Sequence, residues 1–247
     1  MSDLFVESWG AGVPVVLVHG SLATGSDEWQ AQRPLADDGF RLLVPDRRGY
    51  GRSPAARGED FLTDATDVAA LMGDGAHLVG HSYGGLAVLF AAAIRPDATL
   101  SLTLLEPAVF ALGRCHQAAR TLAAELRAVW NQEIPDDEWV IRFLRAVGSE
   151  PDALSPELIA AAVPLVSVLR HGRPMWDTEL PLAALAAADF PKLVVSGAHS
   201  DGFDAICDEL AQRIGAWRIA IAGAGHEVQF TGVPLNDALL TLWRSVA

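Results

Sequence analysis

Six short apolar runs recur along the chain, and each is closed by glycine or proline at or just past its end. Val13 to Val18 (VPVVLV) stops at His19-Gly20, and Phe40 to Val44 (FRLLV) stops at Pro45-Asp46. His77 to Val79 (HLV) runs into Gly80, and Leu100 to Leu105 (LSLTLL) ends at Glu106-Pro107. Lys192 to Ser196 (KLVVS) precedes Gly197, and Trp217 to Ala222 (WRIAIA) precedes Gly223. Such runs are too short for helices, and most lack the polar alternation of a half-wet strand, so they predict strands buried on both faces. Between them lie helical patterns. Residues 61–72 place Phe61, Ala65, Val68 and Met72 on one face, and Leu86 to Ile94 is apolar on most sides until Arg95-Pro96 stops it. Residues 204–214 and about 235–245 also read as helices. Strands alternating with helices predict an α/β fold with a mainly parallel sheet covered on both sides.

The stretch 108–188 breaks that rhythm. It is rich in alanine, leucine and arginine and carries prolines at 135, 151, 156, 164, 174 and 181. It predicts several helices inserted between two strands as a cap, leaving 1–107 and 189–247 as the core domain. A chain of 247 residues suits one domain with such an insertion.

Composition excludes several functions. Apolar residues make up 51% and charged residues 20%, so the chain can build a sizeable core. The formal net charge of −13 repels nucleic acid and anionic membrane. Two cysteines, Cys115 and Cys207, make neither a disulfide framework nor a zinc pattern. The opening MSDLFVESWG lacks a basic region followed by an apolar run, and LAVLFAAAI is too short to cross a bilayer. The expectation is a cytoplasmic monomer or homodimer acting on a small molecule without metal or cofactor.

The chemistry concentrates at LVGHSYGG, residues 78–85. A strand, then Gly-x-Ser-x-Gly, then a helix is the pattern of a nucleophile elbow. Ser82 would sit in a strained turn, with glycines allowing close backbone approach and a helix amino terminus favouring negative charge. A serine hydroxyl needs a base. His226 follows the last strand and the small turn Gly223-Ala224-Gly225, so both residues fall at carboxyl ends of strands, where ligands collect in an open α/β sheet. Two backbone donors are needed for an oxyanion: the N–H of Tyr83, after the serine, and that of Ser21, after the first strand.

HGS at 19–21, DRRGYGRS at 46–53, GHSYGG at 80–85 and GAGH at 223–226 together resemble the α/β-hydrolase superfamily. The resemblance implies an eight-stranded, mostly parallel sheet with a helical cap, its first strand or two reduced here. It also implies a carboxylate that orients His226. Two positions compete. The usual family position follows KLVVS, where Gly197-Ala198-His199-Ser200-Asp201 brings Asp201 one residue late, with Asp204 beyond it. The other is Glu106, at the end of LSLTLL, which looks like the acid position of haloalkane dehalogenases and zearalenone-lactone hydrolases. Glu106 is favoured, because a carboxylate ending an apolar strand needs a partner. The dehalogenase likeness stops there, since those enzymes use an aspartate nucleophile and this elbow holds serine.

Other residues are assigned with the bland reading in view. Arg47, Arg48 and Arg52 lack a following GK[ST] and read as a structural loop, not a phosphate cradle. Trp130, Trp139, Phe143, Met175 and Trp176 line either a pocket or the cap's own core, with Trp176, Trp130 and Leu22 the substrate-binding candidates. His19 anchors the oxyanion loop, His116 and His171 are surface or local hydrogen-bond residues, and His199 lies near the acid loop. The expected activity is acyl transfer from a carboxylic ester or lactone of a small, fairly hydrophobic molecule. Alternatives are C–C hydrolysis, lyase or cyclase chemistry on the same fold, or a low-turnover ligand-binding module.

Overall fold

All six apolar runs are strands in the computed structural model, which describes residues 3–149 and 156–246. Pro151 of the predicted cap lies outside the described residues. The strands are β1 (Val6–Gly10), β2 (Val13–Val18), β3 (Phe40–Pro45), β4 (Ala76–His81), β5 (Thr99–Leu105), β6 (Lys192–Ser196) and β7 (Trp217–Ala220). They form one sheet in the order β1-β3-β2-β4-β5-β6-β7. Among the described residues the sheet has seven strands, one fewer than the eight of the resemblance, in keeping with the reduction expected at the amino end. β1 alone is antiparallel, pairing Val6 with Pro45 at an edge. Its polar alternation, with only Trp9 buried, hid it among the apolar runs.

The helices are α1 (Gly25–Glu28), α2 (Phe61–Leu71), α3 (Ser82–Ile94), α4 (Gln117–Trp130), α5 (Asp136–Val147), α6 (Pro156–Ala162), α7 (Val166–Arg170), α8 (Leu182–Ala187), α9 (Asp201–Ile214) and α10 (Val233–Arg244). Successive residues of a strand face opposite sides. Accordingly Val16 and Val18 enter a core with α2, α3 and α9, whereas Val15 and Leu17 enter a second core with α10. α3 is buried along most of its length, which explains its uninterrupted apolar sequence. It stops at Ile94, because the residue before a proline is driven out of helical geometry.

α4 to α8 all fall between β5 and β6. This insert is tied to the core where α2 begins. Asp60 caps α2 by accepting from the N–H of Leu62 at 2.9 Å, and also takes Arg173 Nε at 2.7 Å. The Glu59 N–H donates to Val168 O at 3.0 Å, and the Arg173 N–H donates to Glu59 O at 2.7 Å. Among the described residues no helix is long and apolar enough to cross a membrane.

Candidate active site

The carboxyl ends of β2, β4, β5 and β6 meet at one rim of the sheet, and the backbone is strained there. Among the described residues, four non-glycine residues have positive φ: Leu22 (65°), Ser82 (51°), Glu106 (38°) and Ala198 (53°). Each follows one of those four strands. Such conformations persist only where the surroundings enforce them, and they concentrate at functional sites.

At Ser82 the enforcement is visible. A Cβ on Gly80 would stand 2.5 Å from Gly84 O, and one on Gly84 would stand 2.4 Å from His19 O. Only glycine on both sides lets β4 turn directly into α3 while lying against the β2 loop. Ser82 is then the first residue of α3, with Tyr83 in the turn whose N–H groups have no intrahelical partner. The Tyr83 side chain points away, donating its hydroxyl to Glu59 O at 3.1 Å and accepting from the Phe61 N–H at 3.3 Å. The Ser21 hydroxyl likewise donates to the Glu59 carboxylate, at 3.0 Å. Both side chains are therefore structural, while Ser21, Ser82 and Tyr83 all line one cavity.

The loop carrying Ser21 is braced from below. The buried His19 donates from Nδ1 to Gly20 O at 2.7 Å and accepts the Arg47 N–H on Nε2 at 2.9 Å. Burial, with the Arg47 charge behind it, pushes the imidazole well below its usual pKa and keeps it neutral. The Arg47 guanidinium is buried between Glu59, at 3.1 Å, and Asp64, at 3.0 Å, and donates to His19 O and Gly20 O. Arg48 pairs with Asp67 and Asp3, and Arg52 with Glu7. The arginine-rich loop is thus a strut within the fold.

His226 is buried, and its Nδ1 lies 2.9 Å from Glu106 Oε2. Glu106 is fully buried and accepts three donors: His226, His199 Nε2 at 2.8 Å on the same oxygen, and the Gly197 N–H at 2.7 Å on Oε1. Burial pushes its pKa up, but the hydrogen bonds from His199 and His226 outweigh it and bring it down to about 2. Burial pulls His199 down too, and the Glu106 hydrogen bond and charge more than reverse it, leaving His199 above an ordinary histidine. With Nδ1 facing a carboxylate, the His226 ring turns Nε2 as its free edge. The ring packs on Phe203 at 4.8 Å between centroids, and Phe203 lines the cavity with Ser82.

The competing carboxylates point away from His226. Asp201 is exposed as the first residue of α9, because the turn Ala198-His199-Ser200 swings it outward and places Ser200 as the helix cap. Asp204 bonds Ser196 Oγ and pairs with Arg218 at 2.9 Å. His199 was weakly signalled in sequence, by its place inside GAHSD, yet it reaches the carboxylate. His116 pairs with Glu209 at 3.5 Å, and His171 is exposed.

The cavity measures ≈ 20 Å³, and its wall from the insert and α9 is apolar: Phe110, Leu126, Trp130, Phe143, Met175 and Phe203 among others. Trp130 lines it as expected. Trp176 and Leu22 do not: Trp176 stands against Phe110 and Trp130, at 5.3 and 5.8 Å, and Leu22 packs into the core beside β2. Trp139 is wholly buried and stacks on Phe143 at 5.1 Å, so it belongs to the insert's own core. Phe143 and Met175, ambiguous in sequence, reach the cavity because their helix face and loop turn toward Ser82.

Comparison with known proteins agrees with this architecture. The chain is 32% identical to the lipase LipV of Mycobacterium tuberculosis over 188 residues, covering 72% of this chain and 68% of that protein. It is 38% identical to a bifunctional esterase/perhydrolase of Acinetobacter calcoaceticus over 114 residues, 43% of this chain and 41% of that one. Among solved structures, Est816, described as an N-acyl homoserine lactone degrading enzyme, superposes with a TM-score of 0.73 at 25% identity, covering 96% of both chains. An esterase from Thermogutta terrifontis gives 0.71 at 26% identity, covering 98% of this chain and 93% of that one. The sequence profile of the alpha/beta hydrolase family matches residues 15–238, nearly the whole sheet and its rim of strained loops, and the chain belongs to that family.

Proposed function

We propose that the chain is a serine hydrolase that cleaves a carboxylic ester or lactone with a small apolar acyl part. Ser82 Oγ attacks the carbonyl carbon while His226 Nε2 takes its proton. Glu106 holds the His226 tautomer and offsets the charge that forms on the ring. The N–H groups of Ser21 and Tyr83 receive the oxyanion. His226 returns the proton to the leaving oxygen, and water releases the acid by the same base. One observation carries this reading: a serine held at φ 51° shares its cavity with Ser21, Tyr83 and Phe203, and Phe203 packs on a histidine bonded to a buried carboxylate.

The apolar wall of the cavity favours a neutral acyl group. At ≈ 20 Å³ the space holds about one water, so an acyl chain must displace Trp130, Phe143 or Met175. We read the helical insert as the cap that sets acyl length. The structural likeness to a lactone-degrading enzyme supports lactones within the substrate class. The test is intact-mass labelling with a fluorophosphonate, followed by hydrolysis of p-nitrophenyl esters and γ-lactones of increasing chain length. One adduct, absent from Ser82→Ala, with turnover of short acyl esters or lactones is expected. A folded protein that takes no adduct and turns over none of these substrates refutes the proposal.

A further inference from the structure

His81, the residue before Ser82, has no part in the chemistry above, yet it is 4% exposed with both ring nitrogens engaged. Nδ1 lies 3.1 Å from Glu28 Oε1, and Nε2 lies 3.1 Å from the backbone oxygen of His226. A carboxylate and a carbonyl oxygen only accept hydrogen bonds, so both ring nitrogens must carry protons to satisfy them. The third neighbour is Gln229, whose side-chain nitrogen stands 3.3 Å from His81 Nδ1 while its Oε1, buried, has no partner. Reversing that amide presents Oε1 to the Nδ1–H as a second acceptor.

Glu28 is equally buried, at 3% exposure, and both its oxygens accept the Gly20 N–H, at 3.1 and 3.0 Å. One carboxylate therefore holds the loop leading to Ser21 and, through His81, the elbow and the His226 loop. The fit is close: a Cβ on Gly20 would stand 2.9 Å from His81 Nδ1 and 3.2 Å from Ser82 Cβ. The His81 and His226 rings lie 4.7 Å apart.

We propose that His81 is a buried imidazolium paired with Glu28, and that this pair positions the Ser21 loop, Ser82 and His226 relative to one another. Its place in catalysis rests on the serine-hydrolase reading; its charge state does not. The groups around the ring agree. Burial alone would strip its proton, but Glu28, with Glu227 and Glu106 farther off, outweighs that and lifts His81 above an ordinary histidine. The neighbouring His19 is neutral, the His226 ring lies tilted at 52° to that of His81, and the Gln229 amide completes the surroundings. A raised pKa means the pair is held at pH below the ordinary histidine pKa and is lost as pH rises through the His81 value.

Nitrogen-15 NMR of the side-chain histidines, assigned with His81→Gln, tests the charge in the wild-type protein. Both His81 nitrogens protonated at pH 7 is expected; one bare nitrogen overturns the proposal. Glu28→Gln should turn His81 neutral and slow fluorophosphonate labelling of Ser82 at least tenfold. In ester turnover kcat should fall and KM should stay within about twofold. Wild-type labelling rate in a folded Glu28→Gln protein overturns the positioning role. Should that variant not fold, a wild-type pH series serves: labelling should drop at the alkaline pH where NMR shows His81 losing its proton, and passage through that pH without a drop refutes it. Absence of any adduct on wild type would instead count against the serine-hydrolase reading, with the His81 spectrum still deciding its charge.

Discussion

Replacing Glu106 with glutamine probes the site most directly, since the variant keeps shape and removes charge. In wild type both carboxylate oxygens accept: Oε1 from Gly197, Oε2 from His199 and His226. An amide has one accepting oxygen. If its NH2 replaces Oε2, it meets two imidazole N–H groups; if it replaces Oε1, it meets the Gly197 N–H. Either way a buried donor faces a donor. The charge preference is large: a shift from 4.5 to about 2 is worth about 3 kcal/mol at 1.36 kcal/mol per pKa unit, undiminished by solvent because the group is fully buried. The sign follows from linkage. A depressed carboxylate stabilises the fold above its unfolded pKa, and that stability drains away as pH falls from about 4.5 through about 2. Glu106→Gln should therefore show a flatter acid-unfolding curve over that range and a lower Tm at pH 7. With His226 freed to adopt the wrong tautomer, kcat should drop about 10²–10⁴-fold. The assay is single-turnover fluorophosphonate labelling by intact mass beside Asp201→Asn, which should label at the wild-type rate. Labelling of Glu106→Gln within threefold of wild type, with Asp201→Asn slowed, would refute the assignment.

Three further outcomes follow from the packing. Trp130→Ala should shift the preferred p-nitrophenyl ester to longer acyl chains, whereas Trp176→Ala, one layer behind, should lower Tm and leave the chain-length profile unchanged. Gly84→Ala places a methyl 2.4 Å from His19 O and should cost about 1–3 kcal/mol or more by urea unfolding, with Ser82 labelling lost before the fold is. Acid titration of wild type followed by near-ultraviolet circular dichroism should show the site weakening progressively as pH falls from about 4.5 towards about 2, the window over which the Glu106 contribution is lost.

The sheet was legible because inner parallel strands are buried on both faces, and such strands announce themselves as unbroken apolar runs. Lys192–Ser196 and Val13–Val18 match residue for residue. β1 escaped because an edge strand carries polar residues on its wet side. The placing of Ser82, His226 and the Ser21 loop at one rim of the sheet was legible through glycine spacing, a backbone requirement written directly in residue type. The carboxylate that contacts His226 was less so: whether Glu106 or Asp201 meets it depends on which way a loop turns, and the decisive torsion lies at Ala198, a residue with no sequence mark of a left-handed bend. Nor does sequence distinguish Trp130 from Trp176. Both are aromatic and both are half-buried, and only the packing of the insert orders one in front of the other.

Positive φ outside glycine offers a last discrimination between strain that chemistry requires and strain that it does not. In the proposed mechanism Ser82 and Glu106 need their side chains, so neither can be relieved by glycine without losing activity. Ala198 has only a methyl group and is exposed, so nothing in the site is lost by removing it. A left-handed alanine costs about 1–2 kcal/mol, and the added freedom of glycine in the unfolded chain returns about 0.5–1 kcal/mol of that. Ala198→Gly should therefore raise stability slightly, by up to about 1 kcal/mol in urea unfolding, with Ser82 labelling within twofold of wild type. If Ala198→Gly instead slows labelling tenfold at unchanged stability, the loop's stiffness is part of the site: the methyl is holding His199 and Gly197 against Glu106, and the strain there is functional in the same sense as that at Ser82.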